Sequence, residues 1–225
     1  MRSIRPGNLV LAAVLTVWTA APAAALDKAI GPIAGFSYSD LNIDGQSGLE
    51  GRASFAGGGV VDLGLNDKFG IRIEPMFVSK GAKATHRNAY WGSVDGVTFN
   101  LKYIELPIMA RYNLPSKSEA HGYLLGGLGV GFATQREAEL SQAGTVETID
   151  FGDVFSSTDL SVDLGIGFSL PQGANRWTID GRAAIGVTNI NDGGTVSFNG
   201  SALAVPATTT KTLGFRMLVT YLFPL

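Results

Sequence analysis

The chain has no cysteine, so it holds no disulfide and no thiolate-ligated metal centre. It is poor in charge. Asp, Glu, Lys and Arg make up 16 % of its 225 residues, against about 25 % in an ordinary soluble domain. Neither sign dominates, with 17 Lys+Arg facing 19 Asp+Glu, which excludes the basic footprint of a nucleic-acid binder. No stretch beyond the N-terminus reaches the roughly eighteen consecutive apolar residues that a membrane-spanning helix needs. Glycine, by contrast, is abundant: 30 residues, almost double its usual share of about 7 %. A hydrophobic content of 45 % excludes disorder, which requires low hydrophobicity and high net charge.

The N-terminus reads as an export signal. Arg2 and Arg5 precede the apolar run Leu9 to Ala20, and Ala23-Ala24-Ala25 supplies small residues for an A-x-A cleavage site. The run is too short for the ~20 residues of a span. Residues 1–25 are therefore expected to be a cleaved signal peptide and 26–225 a single domain, with no composition shift to divide it.

Period two dominates that domain. Leu160, Val162, Leu164, Ile166, Phe168 and Leu170 alternate with Asp159, Ser161, Asp163, Gly165, Gly167 and Ser169. Leu213, Phe215, Met217, Val219, Tyr221 and Phe223 alternate with Thr212, Gly214, Arg216 and Thr220. Side chains of a strand point to opposite faces, so each segment carries one apolar face and one polar or small face. The pattern predicts eight strands, at about 29–41, 52–65, 69–81, 98–114, 122–135, 158–170, 177–190 and 209–223. Val146 to Phe151 and Thr195 to Val205 are further extended stretches that would raise the count to ten. Short connections alternate with long ones, as in a bacterial outer-membrane barrel, whose short turns face the periplasm and long loops face outward.

The strands are also long enough for a tilted span of about 9–11 residues. Aromatic residues gather at their ends. Phe69, Tyr112, Tyr123, Phe168, Trp177, Tyr221 and Phe223 are placed at the short-turn rim, and Phe36, Tyr38, Phe77, Phe99 and Phe132 at the long-loop rim, as two membrane girdles.

Several segments resemble a known family. Phe69-Gly-Ile-Arg-Ile-Glu-Pro-Met-Phe-Val-Ser-Lys-Gly81 is similar to the third strand of the small outer-membrane β-barrel family called porin-like or PorT-like. Leu101-Lys-Tyr-Ile-Glu-Leu-Pro-Ile-Met-Ala-Arg-Tyr112 resembles its fourth strand and Gly122 to Gly131 its glycine-rich fifth. Arg182 to Asn189 and the terminal Tyr221-Leu-Phe223 also fit. The resemblance implies an all-β fold, a closed antiparallel up-and-down transmembrane barrel in the outer membrane. It implies no shared activity. Chains of this kind usually end on an aromatic residue that the barrel assembly machinery reads, whereas here Pro224 and Leu225 follow Phe223.

With apolar faces outward, the interior receives Asp62, Arg72, Glu74, Lys80, Glu105, Arg111, Asp163, Asp180, Arg182 and Arg216. Buried charges must be paired, and these acids and bases balance. An eight-stranded barrel has room for side chains and little else, so a lumen plugged by an ion-pair network is expected. Pro75 and Pro107 cannot donate to a ladder, and each predicts a local bulge or bend.

Other chemistry has little support. His86 has no evident acid partner, and the topology places His121 on the opposite rim, so no catalytic residues, metal or cofactor are expected. The long loop 82–97 carries Lys83, His86, Arg87, Tyr90 and Trp91, a basic-aromatic patch suited to anionic lipopolysaccharide. The expected protein is a non-enzymatic monomer with a structural or surface-interaction role, whose partners are outer-membrane lipid, lipopolysaccharide and, during biogenesis, the assembly machinery. A narrow porin-type channel, a soluble periplasmic barrel binding an apolar ligand, and a lipid-modifying enzyme are the alternatives.

Overall fold

A computed structural model describes residues 27–45, 49–84, 95–142, 144–198 and 201–225. The expected signal peptide at 1–25 lies outside them. The described chain is all β: β1 (Asp27–Ile43), β2 (Glu50–Gly64), β3 (Phe69–Ile73), β4 (Met76–Lys80), β5 (Ala82–Ala84), β6 (Gly96–Asn113), β7 (His121–Gln142), β8 (Thr145–Asp150), β9 (Thr158–Gln172), β10 (Asn175–Gly186), β11 (Gly194–Phe198), β12 (Ser201–Val205) and β13 (Thr210–Pro224).

These strands close a ring of eight antiparallel spans, in which β3, β4 and β5 together form one span. The ring can be followed rung by rung, from Ala29 on β1 to Asp62, Arg72, Met109, Gly127, Asp163, Ala184 and Gly214, returning to β1 at Ser39. The return point lies ten residues beyond the start, from Ala29 to Ser39. With a rise near 3.3 Å and a strand spacing near 4.8 Å, that stagger fixes a tilt of about 40° and a backbone radius of about 8 Å. Such a cylinder can be filled by its own side chains.

The apolar face of every span points outward. Phe36, Phe77 and Ile166 are 74 %, 67 % and 68 % exposed, and Leu213, Phe215, Met217, Val219 and Phe223 form one exposed row on β13. At the tilt above, the apolar band is about 25 Å tall, the height of a bilayer's hydrocarbon layer crossed by an outer-membrane barrel. At its turn end Trp177 packs on Tyr221, with ring centroids 4.5 Å apart, and Phe69 packs on Tyr112 at 5.1 Å. Two aromatics expected in the girdles lie elsewhere: Phe99 and Tyr123 are buried inside the barrel. Each keeps the phase of its strand's inward face, Phe99 with Glu105 and Tyr123 with Leu125, and that phase overrides nearness to a strand end.

The two prolines share one irregularity. Pro75 separates β3 from β4, whereas β6 runs through Pro107 without a break, opposite Gly129. Glu74 N donates to Pro107 O at 3.1 Å. The proline that cannot donate back therefore faces the same rung at which the neighbouring span is already interrupted. Pro75 O accepts from Gly59 N at 3.0 Å. The approach is so close that a Cβ on Gly58 would lie 2.1 Å from Pro75 O. The bulge in β6–β7 falls instead between Lys102 and Tyr103.

The count stays at eight spans. β8 extends β7 as a hairpin, and β11–β12 form a separate two-stranded ribbon at the loop end.

Candidate functional site

The site is the barrel interior. Alternation turns every second residue of each span inward, and the ring brings together side chains that are far apart in sequence. All ten residues placed inside by the alternation are buried.

They divide into two layers. The layer nearer the turns centres on Arg72, which is 0 % exposed. Its Nε donates to Asp62 Oδ2 at 3.0 Å and its Nη1 to Asp180 Oδ2 at 3.3 Å. Arg111 Nη1 reaches Asp62 at 3.0 Å. Arg182 bridges two acids: it grips Glu74 with both terminal nitrogens, Nη2 to Oε1 at 2.9 Å, and donates from Nε to Asp180. Tyr123 OH donates to Asp180 Oδ2 at 2.9 Å while its ring lies 5.2 Å from the Arg72 guanidinium carbon.

The second layer, nearer the loops, is a chain of alternating charge. Lys80 Nζ lies 2.6 Å from Glu105 Oε1 and 2.7 Å from Asp159 Oδ2. Arg216 Nη2 donates to the other Glu105 oxygen, Oε2, at 2.5 Å. Thr212 Oγ1 donates to Asp159 Oδ2 at 2.8 Å. Asp163 stands apart, accepting from Ser161 Oγ at 2.9 Å and holding no ion pair among the described residues.

Further participants are not among those ten: Tyr123 and Thr212 above, and Asp159, Tyr103 and Arg176. Asp159 is in phase with Asp163, and that phase was the signal available for it. Tyr103 lies 5.0 Å from Lys80 Nζ by its ring centroid. Arg176 reaches Asp62 Oδ1 at 3.5 Å from the turn end and pairs with Asp27 at 2.7 Å.

Above the charged layers the interior becomes apolar. Phe99, Phe151 and Phe155 pack together with centroids 5.7–6.0 Å apart. Leu41, Leu101, Leu140, Val154 and Ile190 surround them. The turn that carries Phe151 and Phe155 is held in the mouth by Arg136, whose Nη1 donates to Phe155 O at 2.6 Å. Two layers thus occupy the interior in series, paired charge at membrane depth and an apolar cluster at the loop end.

Of the loop patch, Lys83 lies on β5, exposed and paired in register with Glu50 and Thr98. His86, Arg87, Tyr90 and Trp91 lie outside the described residues. Among the described residues there is no group of three or more His, Asp and Glu arranged to hold a metal ion.

A closed ring with lipophilic walls, a rim of packed aromatics at the turn end and a polar interior rich in ion pairs defines a transmembrane β-barrel. Residues 24–212 match the family model of the outer membrane protein beta-barrel domain. The chain belongs to that family, whose place is the bacterial outer membrane. Among solved structures it is similar to the Neisserial surface protein NspA, with 13 % identity over 86 % of this chain and 95 % of that one and a TM-score of 0.44. It is similar to Ail, the attachment invasion locus protein of Yersinia pestis, with 14 % identity over 88 % of this chain and 100 % of that one and a TM-score of 0.44. It is also similar to OprG from Pseudomonas aeruginosa, with 13 % identity over 88 % and 95 % of the two chains and a TM-score of 0.49. Comparison with curated proteins finds no match.

Proposed function

We propose that this chain is a non-conducting, non-enzymatic outer-membrane barrel that acts as a monomer, through its wall and outer loops and not through its lumen. One observation supports the reading: the interior holds, in series, the paired charges of Arg72, Arg182 and Lys80 and the Phe99–Phe151–Phe155 cluster. An ion crossing such a core must displace buried partners from one another, which is unfavourable wherever a charge is left uncompensated. An eight-stranded cylinder leaves no parallel route. Function then falls to the surfaces that face lipid and the exterior, among them exposed Lys83 and the β8 and β11–β12 hairpins. In this reading lipopolysaccharide meets the outer loops, and the assembly machinery takes up the chain through the β13 apolar row.

The test is insertion of purified protein into planar lipid bilayers at high salt. Silence is expected. Steady single-channel openings would replace this reading with that of a narrow porin-type channel.

A further inference from the structure

At the loop end two ribbons rise from one base and leave a cleft between them. β7 and β8 form the first ribbon, β11 and β12 the second. The base is fixed: Asp192 N donates to Val154 O at 2.9 Å, and Phe155 bridges to Asn191. Gly194, where β11 starts, comes so close that a Cβ there would lie 2.5 Å from Asp153 O. Beyond that contact the ribbons do not pair with each other. A cleft of about 440 Å³ separates Asp150, Gly152 and Asp153 from Thr195, Val196 and Ser197.

Both walls are open strand edges. Among the described residues β8 pairs only with β7, and β11 only with β12. β11 is the strand of its ribbon nearer to β8. The antiparallel ladder determines which groups the β8 edge presents. Phe151 N donates to Arg136 O, one rung beyond the Glu137–Asp150 pair. By alternation Thr145, Glu147 and Ile149 then turn their N–H and C=O groups to β7, while Val146, Thr148 and Asp150 turn theirs to the free edge. Over the six residues of β8 that edge is about 20 Å long. An open edge is a template for another strand, which supplies main-chain hydrogen bonds whatever its side chains.

Charge selects what can enter. Residues 135–157 and 190–205 hold six acids, Glu137, Glu139, Glu147, Asp150, Asp153 and Asp192, and one base, Arg136. Lys102 on β6, in register with Gln135, and Lys211 on β13, in register with Asn42, add two bases at the same end and leave the acids in excess. None of the six is in an ion pair among the described residues. Asp150 and Asp153 are exposed on the cleft wall itself.

We propose that this cleft binds an extended, basic peptide segment of an external protein, which adds as a strand to the β8 edge and sets its lysines or arginines against Asp150 and Asp153. The proposal rests on the reading above that the outer loops carry the function, and it names the partner class and the place. The loop end is the outward end in this family, so the partner comes from outside the cell. A second copy of this chain is disfavoured, because it would bring the same excess of acids to the edge.

Fluorescence anisotropy with the full chain in neutral detergent micelles tests it. The probe is a labelled octapeptide of alternating Lys and Thr. Wild type is expected to bind it saturably. The double variant Asp150→Asn, Asp153→Asn is expected to bind about fivefold more weakly. Thr148→Pro removes an edge donor and no bond to β7, and is expected to cost about fivefold as well. The same octapeptide with alternate nitrogens methylated keeps its charge but cannot complete a ladder, and is expected to bind at least about fivefold more weakly. Glu50→Gln, at the same end but on β2 opposite Lys83, is expected to change nothing. Equal binding of the methylated peptide, of an alternating Glu-Thr octapeptide, or by the double variant overturns the proposal. So does self-association of the wild type that Thr148→Pro abolishes, which would assign the edge to a second copy. A heat-induced gel shift in every variant shows that the barrel is intact. Absent peptide binding with the shift present and bilayers silent overturns the cleft alone, whereas channel openings overturn the non-conducting reading and leave the peptide result standing.

Discussion

The pair Arg182–Glu74 gives the sharpest energetic prediction. Both side chains are buried, at 1 % and 0 % exposure, and they meet bidentately across the barrel, β10 to the β3–β4 junction. Glu74→Leu leaves Arg182 with only Asp180 as partner, and Arg182→Met leaves Glu74 with only the long 3.8 Å contact to Arg72. Each single substitution strands a buried charge, and each is expected to destabilise the barrel by about 3–5 kcal/mol. The double variant removes both charges and replaces them with apolar volume, a change that is often neutral. It is expected to lie at least about 2 kcal/mol above the sum of the singles. Urea unfolding in detergent micelles, followed by tryptophan emission and the heat-induced gel shift, measures all four corners of the cycle. Additive losses within about 0.5 kcal/mol would refute the reasoning, because they would mean that the two charges are solvated independently.

Adjacent glycines should behave oppositely. A Cβ on Gly127 would lie 2.1 Å from Ile108 O, whereas on Gly126 its nearest neighbour is Leu164 Cδ2 at 3.6 Å. Gly127→Ala is expected to cost about 1–3 kcal/mol and Gly126→Ala about 0.5 kcal/mol or less in the same unfolding assay. Phe99→Ala should open a cavity in the plug and cost about 3–5 kcal/mol. It should make the 151–157 turn more sensitive to protease while bilayers remain silent, because the charged layers stay closed. Asp27→Asn, which removes an exposed partner of Arg176, is expected to change stability by less than about 1 kcal/mol.

The spans were legible because lipid on one side and a narrow polar interior on the other impose a strict two-residue period. The β9 and β13 alternations state it almost without exception. The inward charges followed from phase alone, since Asp62, Arg72 and Arg182 sit opposite apolar neighbours in sequence. Their partners did not follow. Arg182 meets Glu74 and Arg72 meets Asp180 only because the ten-residue stagger sets which rungs share a level, and no local pattern carries that number. The apolar plug was missed for a related reason. Phe151 and Phe155 belong to a turn, where periodicity gives no direction, and Phe99 was placed by its nearness to a strand end when its phase with Glu105 already pointed it inward. At Pro107 the ring closure puts the missing donor against a rung that Pro75 has already broken, so two expected irregularities become one.

The barrel's placement is decided by which face of the spans meets lipid. The chain has no cysteine, so single cysteines can be introduced along β13 at positions 213 to 220 and spin-labelled in reconstituted bilayers. Accessibility to dissolved oxygen, which concentrates in lipid, is expected to be high at 213, 215, 217 and 219 and low at 214, 216, 218 and 220. The opposite phase, or no alternation, would contradict it.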